Sequence, residues 1–110
     1  MSKIIIVEGK TDKERLLEII DEPVEIICSY GTISYEKLEE WANQLEDAEV
    51  YLFLDADDSG KSIRKKIYQE LPNIQHLYTQ HMYREVATTP VEVLTQVLEQ
   101  AHFKVKEIKN

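Results

Sequence analysis

The chain of 110 residues is poor in cysteine, glycine and proline, and each shortage limits the kind of protein it can be. The single cysteine, Cys28, excludes an internal disulfide and any zinc site built from several cysteines, and it fits a reducing compartment. Three glycines and three prolines interrupt a composition that is 43% hydrophobic, which favours a globular chain over a disordered one. We therefore expect one domain, spanning residues 1–110, with a core of its own.

Long apolar runs are also missing. The run near the N-terminus covers only residues 4–7. That is far too short for the hydrophobic region of a signal peptide or for a membrane span. We expect a soluble, cytoplasmic protein that makes no membrane contact.

Basic residues are outnumbered, 13 to 21, which gives a formal net charge of −8. The excess is local, because residues 21–54 hold nine acids and one base and the rest of the chain is balanced. Four of these nine acids fall on the outer face of a predicted second helix, which makes that helix a candidate surface for a protein partner. The net charge therefore does not argue against a phosphate ligand elsewhere on the molecule.

Short apolar runs alternate with amphipathic stretches. Strands are predicted at residues 4–7, 24–28, 50–54 and, more weakly, 74–78. The tail from residue 103 is expected either to add a short edge strand at residues 103–105 or to fray. A helix is predicted after each of the first three strands, and a further helix near residue 90. Strands that alternate with helices predict an α/β fold with a mostly parallel sheet and helices on both faces.

Capping patterns predict where three of the helices begin. The Thr-x-x-Glu pattern of residues 11–14 predicts a helix from Asp12, and Ser34 is predicted to cap the second helix. The same pattern at residues 89–92, with Pro90 in the first helical position, predicts the start of the last helix.

Carboxylates directly follow two of the predicted strands: Glu8 follows the first, and Asp55 and Asp57 follow the third. The ends of parallel strands share one edge of a sheet, so these side chains are expected to lie close together. Their oxygens suit Mg²⁺, Mn²⁺ or Ca²⁺. Three packed acids repel one another, and at least one pKa should rise unless a cation binds. Two interpretations stay open: Asp55 and Asp57 bind a metal and Glu8 remains an acid or base, or all three face water.

The two carboxylate patterns resemble those of the Toprim domain family, which is shared by topoisomerases, bacterial primases, recombination mediators and a group of nucleases. The resemblance covers nearly the whole chain. It implies a Rossmann-like three-layer sandwich, with a mostly parallel sheet of about four strands flanked by helices. Asp12 fits the family motif and fits a helix cap equally well. The residues that carry the resemblance are, in chain order, Glu8, Gly9, Asp12, Asp55, Asp57 and Gly60.

The resemblance implies Mg²⁺-dependent phosphodiester chemistry on RNA or DNA, above all nucleolytic cleavage. Glu8 would be the general acid or base. Asp55 and Asp57, with Glu8 as a further candidate ligand, would hold Mg²⁺ or Mn²⁺. Gly9 and Gly60 match the family's turns.

Five basic side chains lie beside the two motifs. Lys10 and Lys61 flank the motifs, and each is either a contact to phosphate or a solvated loop lysine. Arg64, Lys65 and Lys66 fall on the third helix, where the basic residues are expected mostly outside. There they would line a nucleic-acid groove or form a solvated helix face.

Within the family, the chain is similar to a compact branch that includes the bacterial ribonuclease that matures 5S ribosomal RNA. The runs at residues 58–67 and 84–90 are similar in style to that branch. This likeness implies a hydrolase of RNA processing. Arg84 and Glu85 follow the fourth predicted strand, and this position makes them candidates to close the site. The chain shows no counterpart of the extra C-terminal region expected of that enzyme.

Other classes of function stay open. A Toprim module without catalysis would act as a nucleic-acid adaptor, or as a protein adaptor through the acidic second helix. A phospho-receiver signalling domain has a similar length and alternation and an Asp after its third strand. The chain lacks the acidic pair after the first strand and the Lys-Pro near the last strand that a receiver would have. A topoisomerase is excluded, because the chain is too short for the strand-passing machinery.

Overall fold

The structure is a computed structural model that describes residues 2–31, 33–79 and 85–107. Strands and helices alternate along it, as the sequence predicts. In chain order the elements are β1 (Lys3–Val7), α1 (Lys10–Ile19), β2 (Glu25–Cys28), α2 (Tyr35–Gln44), β3 (Glu49–Phe53), α3 (Asp58–Glu70), β4 (Gln75–Leu77), a 3₁₀ turn (Val86–Thr88) and α4 (Val91–Gln100).

The four strands form one parallel sheet in the order β2-β1-β3-β4. Strand β1 lies between β2 and β3, with Ile5 beside Ile26 on one side and Tyr51 on the other. The C-terminal ends of β1 and β3 are therefore neighbours at one edge of the sheet. This arrangement confirms the predicted α/β fold with a four-stranded parallel sheet.

Side chains of β1 alternate between two hydrophobic cores, because successive residues of a strand point to opposite faces of the sheet. Ile4 and Ile6 pack with residues of α2 and α3, whereas Ile5 and Val7 pack with residues of α1 and α4. Both faces of the sheet are covered, which explains why the strand is a continuous apolar run. Among the described residues, no helix is both long enough and apolar enough to pass through a bilayer.

Helix α1 begins two residues earlier than the sequence predicts. The backbone N–H of Gly9 donates to the carboxylate of Asp12 at 3.0 Å, so Gly9 occupies the N-cap position and Lys10 is the first helical residue. The prediction of a cap at Thr11 is wrong, because Thr11 already lies inside the helix. Asp12, three residues after the cap, supplies the side chain that the prediction assigned to Glu14.

Helix α4 begins one residue later than the sequence predicts. Pro90 stands in the cap position and Val91 begins the helix. Thr89 does not cap it, because its hydroxyl donates to the carbonyl oxygen of Glu85 at 2.6 Å. The predicted cap of α2 is confirmed, since the Ser34 hydroxyl accepts from the backbone N–H of Lys37 at 3.2 Å.

The predicted strand at residues 103–105 is reduced to one antiparallel bridge, between Val105 and Ile20. The backbone N–H of Lys106 donates to the carbonyl of Ile19 at 2.8 Å. These bonds fix the segment after α4 against the end of α1.

Candidate metal centre

Glu8, Asp55 and Asp57 converge at the C-terminal edge of the sheet. One carboxylate oxygen of each lies within 4.8 Å of the others, and all three side chains are half-buried. Glu8 follows β1 directly, and the two aspartates follow β3, its neighbour in the sheet. The structure thus brings together the three carboxylates that the sequence singles out. We call them the carboxylate cluster.

Asp57 is fixed by helix α3. It is the N-cap residue of that helix, and its Oδ1 accepts the backbone N–H of Gly60 at 2.7 Å. A capping carboxylate satisfies one of the free N–H groups of the first turn and keeps a second oxygen for another ligand. The helix that follows β3 therefore holds Asp57 at the edge of the sheet.

Gly60 stands where the first turn of α3 touches the end of β3. A Cβ atom at this position would lie 2.0 Å from the carbonyl oxygen of Asp55. Such a contact is too close for any side chain, so the approach of helix and strand requires glycine here. Gly9 differs, because a Cβ atom there would meet only Asp12 Oδ2, at 3.9 Å.

Asp55 is held by the 3₁₀ turn, Val86–Thr88. Its Oδ1 accepts the backbone N–H of Val86 at 2.8 Å. Arg15 of α1 holds the same segment, because its guanidinium donates to the carbonyls of Ala87 at 2.6 Å and Thr89 at 2.7 Å. Sequence reasoning missed Arg15, although its position three residues after Asp12 placed it on the inner face of the helix.

Asp12 is a fourth acid behind the cluster, and it is buried. Burial raises its pKa, and the negative charges of Asp55 and Glu85 raise it further. Hydrogen bonds from the backbone of Gly9 and Ala87 act in the opposite direction, because they stabilise the carboxylate. Asp12 thus accepts the N–H of the cap residue Gly9 and adds negative potential near the cluster.

Glu8 is the most perturbed acid of the cluster. Burial, a hydrogen bond with Asp55 and the charges of Asp55, Asp57 and Asp12 raise its pKa from 4.5 to about 7. Its Oε2 atom is buried and has no hydrogen-bond partner in the part of the chain that the structure describes. A divalent cation would supply the missing partner and relieve the repulsion, and carboxylate oxygens are the donors that Mg²⁺ and Mn²⁺ prefer. The residues therefore fit such an ion.

Comparison with known proteins identifies the family of this chain. The family model of the Toprim domain matches residues 3–89. This chain belongs to the Toprim family. Toprim domains bind divalent metals, and the carboxylate cluster is compatible with that property. The match decides against the phospho-receiver alternative.

Relatives of this Toprim chain include proteins of similar and of greater length. The uncharacterized protein YusF of Bacillus subtilis (strain 168) is 43% identical over 108 residues, which are 98% of this chain and 74% of YusF. A solved structure of a small TOPRIM domain protein from Bacillus stearothermophilus has a TM-score of 0.93 and 45% identity, over 96% of this chain and 90% of that one.

Ribonuclease M5 of Mycoplasma genitalium is 34% identical over 76 residues. They are 68% of this chain and 42% of that protein, so the Toprim chain spans less than half the length of this relative. Family and relatives together support a function related to nucleic acid.

The basic side chains of the Toprim chain differ in their surroundings. Lys10 is exposed, with its ammonium 3.9 Å from Glu14, and Lys61 and Lys65 are exposed on α3. Lys66 donates to the carbonyl of Ile33 at 2.8 Å. Lys10, Lys61 and Lys65 thus remain candidates for contact with phosphate.

Arg64 is the exception to the prediction that the basic residues of α3 lie mostly outside. It is buried, and its guanidinium donates to the carbonyls of Leu52, Leu54 and Leu77 at 3.3, 3.3 and 2.6 Å. Burial lowers its pKa. The side chain turns inward and donates to carbonyls of β3, of the residue after β3 and of β4, and buried carbonyls of this kind are normally paired. Arg64 is therefore the weakest candidate for direct contact with nucleic acid.

The two residues expected to close the site are placed differently. Arg84 lies outside the described residues. Glu85 is exposed and directly precedes Val86, the residue that binds Asp55. The backbone N–H of Val86 is thus the contact that the described part of this segment makes with the cluster.

Proposed function

We propose that this Toprim chain cleaves phosphodiester bonds of RNA or DNA and depends on Mg²⁺ or Mn²⁺. The observation that carries the proposal is the convergence of Glu8, Asp55 and Asp57 within 4.8 Å, with one buried oxygen of Glu8 left without a hydrogen-bond partner among the described residues. A cytoplasmic location stays a prediction from the sequence.

Asp55 and Asp57 would hold the metal, and Glu8 would be its third ligand or the proton carrier. When bound, the ion supplies neutralisation of the charge on the non-bridging phosphate oxygens. The N–H groups of Val86 and Gly60 orient the two aspartates before any substrate arrives. Such preorganisation keeps the ligand geometry fixed during binding.

Glu8 is suited to move a proton at the attacking or leaving oxygen of the phosphodiester. In the metal-free site its pKa is raised to about 7, and a carboxyl group with such a pKa can hold a proton near neutral pH. A carboxyl group with an ordinary pKa would be almost fully ionised there and would be a poor acid.

The test is cleavage of labelled structured RNA, single-stranded DNA and duplex DNA, with Mg²⁺, with Mn²⁺ and with EDTA. We expect metal-dependent cleavage by the wild type, and a loss of about 100-fold or more in Glu8→Gln. Glu18→Gln is the matched control, because Glu18 is an exposed glutamate of α1. Metal-independent cleavage, or a Glu8→Gln rate equal to that of the control, would refute the proposal.

A non-catalytic adaptor is the second candidate function, and the surface of α2 favours it. Glu36, Glu39 and Glu40 are exposed on that helix, and this face would suit a basic protein partner. An absence of cleavage under all three conditions, together with binding of nucleic acid or protein that Glu8→Gln leaves unchanged, would support the adaptor.

A further inference from the structure

Three aromatic side chains form a row: Tyr68 of α3, His76 of β4, and Tyr78, which directly follows β4. His76 and Tyr78 have nearly parallel rings, with centroids 6.1 Å apart and 19° between the planes. Tyr68 of α3 continues the row, with its centroid 5.9 Å from that of His76. Tyr78 is 61% exposed and Tyr68 is 53% exposed. His76, between them, is half-buried. We call these three residues the aromatic strip, and its two exposed tyrosine rings are candidates for contact with a ligand.

Arg64 connects the aromatic strip to the carboxylate cluster. Its Nη2 atom donates to the carbonyls of Leu54 and Leu77, and its guanidinium lies 4.2 Å from the centroid of the Tyr78 ring. Leu54 directly precedes Asp55 in the chain. Leu77 directly precedes Tyr78. One guanidinium therefore contacts the residue directly before Asp55, the residue directly before Tyr78, and the Tyr78 ring itself.

Arg64 also fixes the protonation of the middle ring. Its Nη1 lies 3.1 Å from His76 Nδ1. A guanidinium can only donate, so Nδ1 accepts and the proton of the neutral imidazole is on Nε2. Burial and the charge of Arg64 also lower the pKa of His76. The strip thus presents uncharged rings and adds no further positive charge.

Positive charge stands next to the strip. Lys61, Lys65 and Tyr68 follow one another at i, i+4 and i+7 on α3, and this spacing places them on one face of the helix. Both lysines are exposed. Flat aromatic rings bordered by cations suit a ligand with unpaired bases and a phosphate backbone. A duplex suits this surface less well, because its bases are stacked on one another and cannot lie on a protein ring.

We propose that the aromatic strip binds an unpaired stretch of nucleic acid, with bases stacked on Tyr78 and Tyr68 and backbone phosphates near Lys61 and Lys65. The strip would then lead the strand to the carboxylate cluster, so that the phosphodiester beside the first stacked base becomes the one that is cut. The choice of the cut bond rests on the proposed function, whereas the binding does not.

The test measures binding in the absence of cleavage. All variants are made in the full chain that carries Glu8→Gln. The probes are a short single-stranded RNA that contains 2-aminopurine and a labelled duplex of the same sequence. Fluorescence anisotropy reports affinity, and quenching of 2-aminopurine reports stacking. The substitutions are Tyr78→Leu, Tyr68→Leu and Tyr78→Phe, and Tyr35→Leu is the control because Tyr35 is an exposed tyrosine of α2 outside the strip.

We expect Tyr78→Leu to weaken single-strand binding by about 5- to 100-fold and to abolish quenching. Tyr68→Leu should weaken it less, Tyr78→Phe should keep both signals because stacking needs only the ring, and the Tyr35 control should behave like the parent. Duplex affinity should change by less than about twofold, since a stacked duplex gains nothing from the strip. Equal single-strand affinity of Tyr78→Leu and parent, or an equal loss for the duplex, overturns the proposal.

Cleavage assays in chains with Glu8 intact separate the two proposals. If cleavage depends on metal but binding does not depend on Tyr78, the proposed function stands and the proposed role of the aromatic strip is refuted. If binding depends on Tyr78 but no cleavage occurs, the proposed role of the aromatic strip stands and the proposed function is refuted.

Discussion

The backbone nitrogen of Val86 lies 2.8 Å from Oδ1 of Asp55, so a residue of the 3₁₀ turn bonds directly to a candidate metal ligand. Val86 is itself fully buried, and it packs in the core between the sheet and helices α1 and α4. The orientation of the Asp55 carboxylate therefore depends on a segment that arrives late in the chain. A substitution that destabilises the 3₁₀ turn should therefore also disturb the orientation of Asp55 in the cluster.

Arg15 should determine how firmly the 3₁₀ turn is held, and through this turn the orientation of the Asp55 carboxylate. Replacing it with methionine removes two charge-assisted hydrogen bonds to the carbonyls of Ala87 and Thr89. We expect a loss of about 2–3 kcal/mol in the free energy of unfolding, measured by urea denaturation, because the carbonyls lose their donors. Lys106→Met removes an exposed cation elsewhere and is the control. Equal stability of the two variants would contradict the role given to Arg15.

Gly60 should be indispensable to the geometry of the cluster. In Gly60→Ala the new Cβ would meet the Asp55 carbonyl at 2.0 Å, so helix and strand must separate. We expect destabilisation of about 1–3 kcal/mol in urea denaturation, together with weaker Mn²⁺ binding by titration calorimetry. Gly9→Ala is a matched control, because its Cβ has room and its backbone is extended. Similar effects of the two substitutions would refute this account of Gly60.

Metal binding should depend on the two aspartates after β3. The double substitution Asp55→Asn with Asp57→Asn removes two negative charges, and we expect it to abolish Mn²⁺ binding, followed by water relaxation. Asparagine is also a good helix cap, so α3 should still form and the fold should survive. Asp58→Asn, next to the site and exposed, should bind Mn²⁺ like the wild type. Unchanged binding in the double variant would show that the metal lies elsewhere.

The sequence foretold the parts of the site that depend on local pattern. Glu8, Asp55 and Asp57 stand directly after apolar runs, and the parallel sheet does bring them to one edge. It could not foretell the contacts of Arg15 and Arg64. Both side chains turn toward carbonyls of segments distant in the chain, and such partners exist only once the elements have packed.

The start of helix α1 was predicted wrongly for a related physical reason. The rule for a capping box places Glu at the third position after a Thr, and the pattern at residues 11–14 satisfied it. In the folded chain the carboxylate of Asp12 reaches the N–H of Gly9 first, which starts α1 earlier. The chain offers two overlapping capping patterns, Gly9 with Asp12 and Thr11 with Glu14. The folded protein uses the first, whose acidic residue, Asp12, is buried.

Glu8 should make the stability of the metal-free protein depend on pH. Its pKa is raised from 4.5 to about 7 in the folded state, so the folded protein binds this proton more tightly than the unfolded chain does. The resulting stabilisation is fully present below about pH 4.5 and is lost as the pH rises through about 7. Because the side chain is partly solvated, we expect a loss of about 1–2 kcal/mol, less than the full shift would give.

Urea denaturation in EDTA at pH 5 and pH 8 measures this loss. Glu8→Gln cannot ionise, so its free energy of unfolding should fall by about 1–2 kcal/mol less than that of the wild type between the two pH values. Glu18→Gln should retain the wild-type dependence, since Glu18 is exposed. Saturating Mg²⁺ should reduce the pH effect in the wild type, because the ion favours the ionised carboxylate. Identical pH profiles for wild type and Glu8→Gln in EDTA would show that Glu8 does not hold its proton more tightly in the folded state.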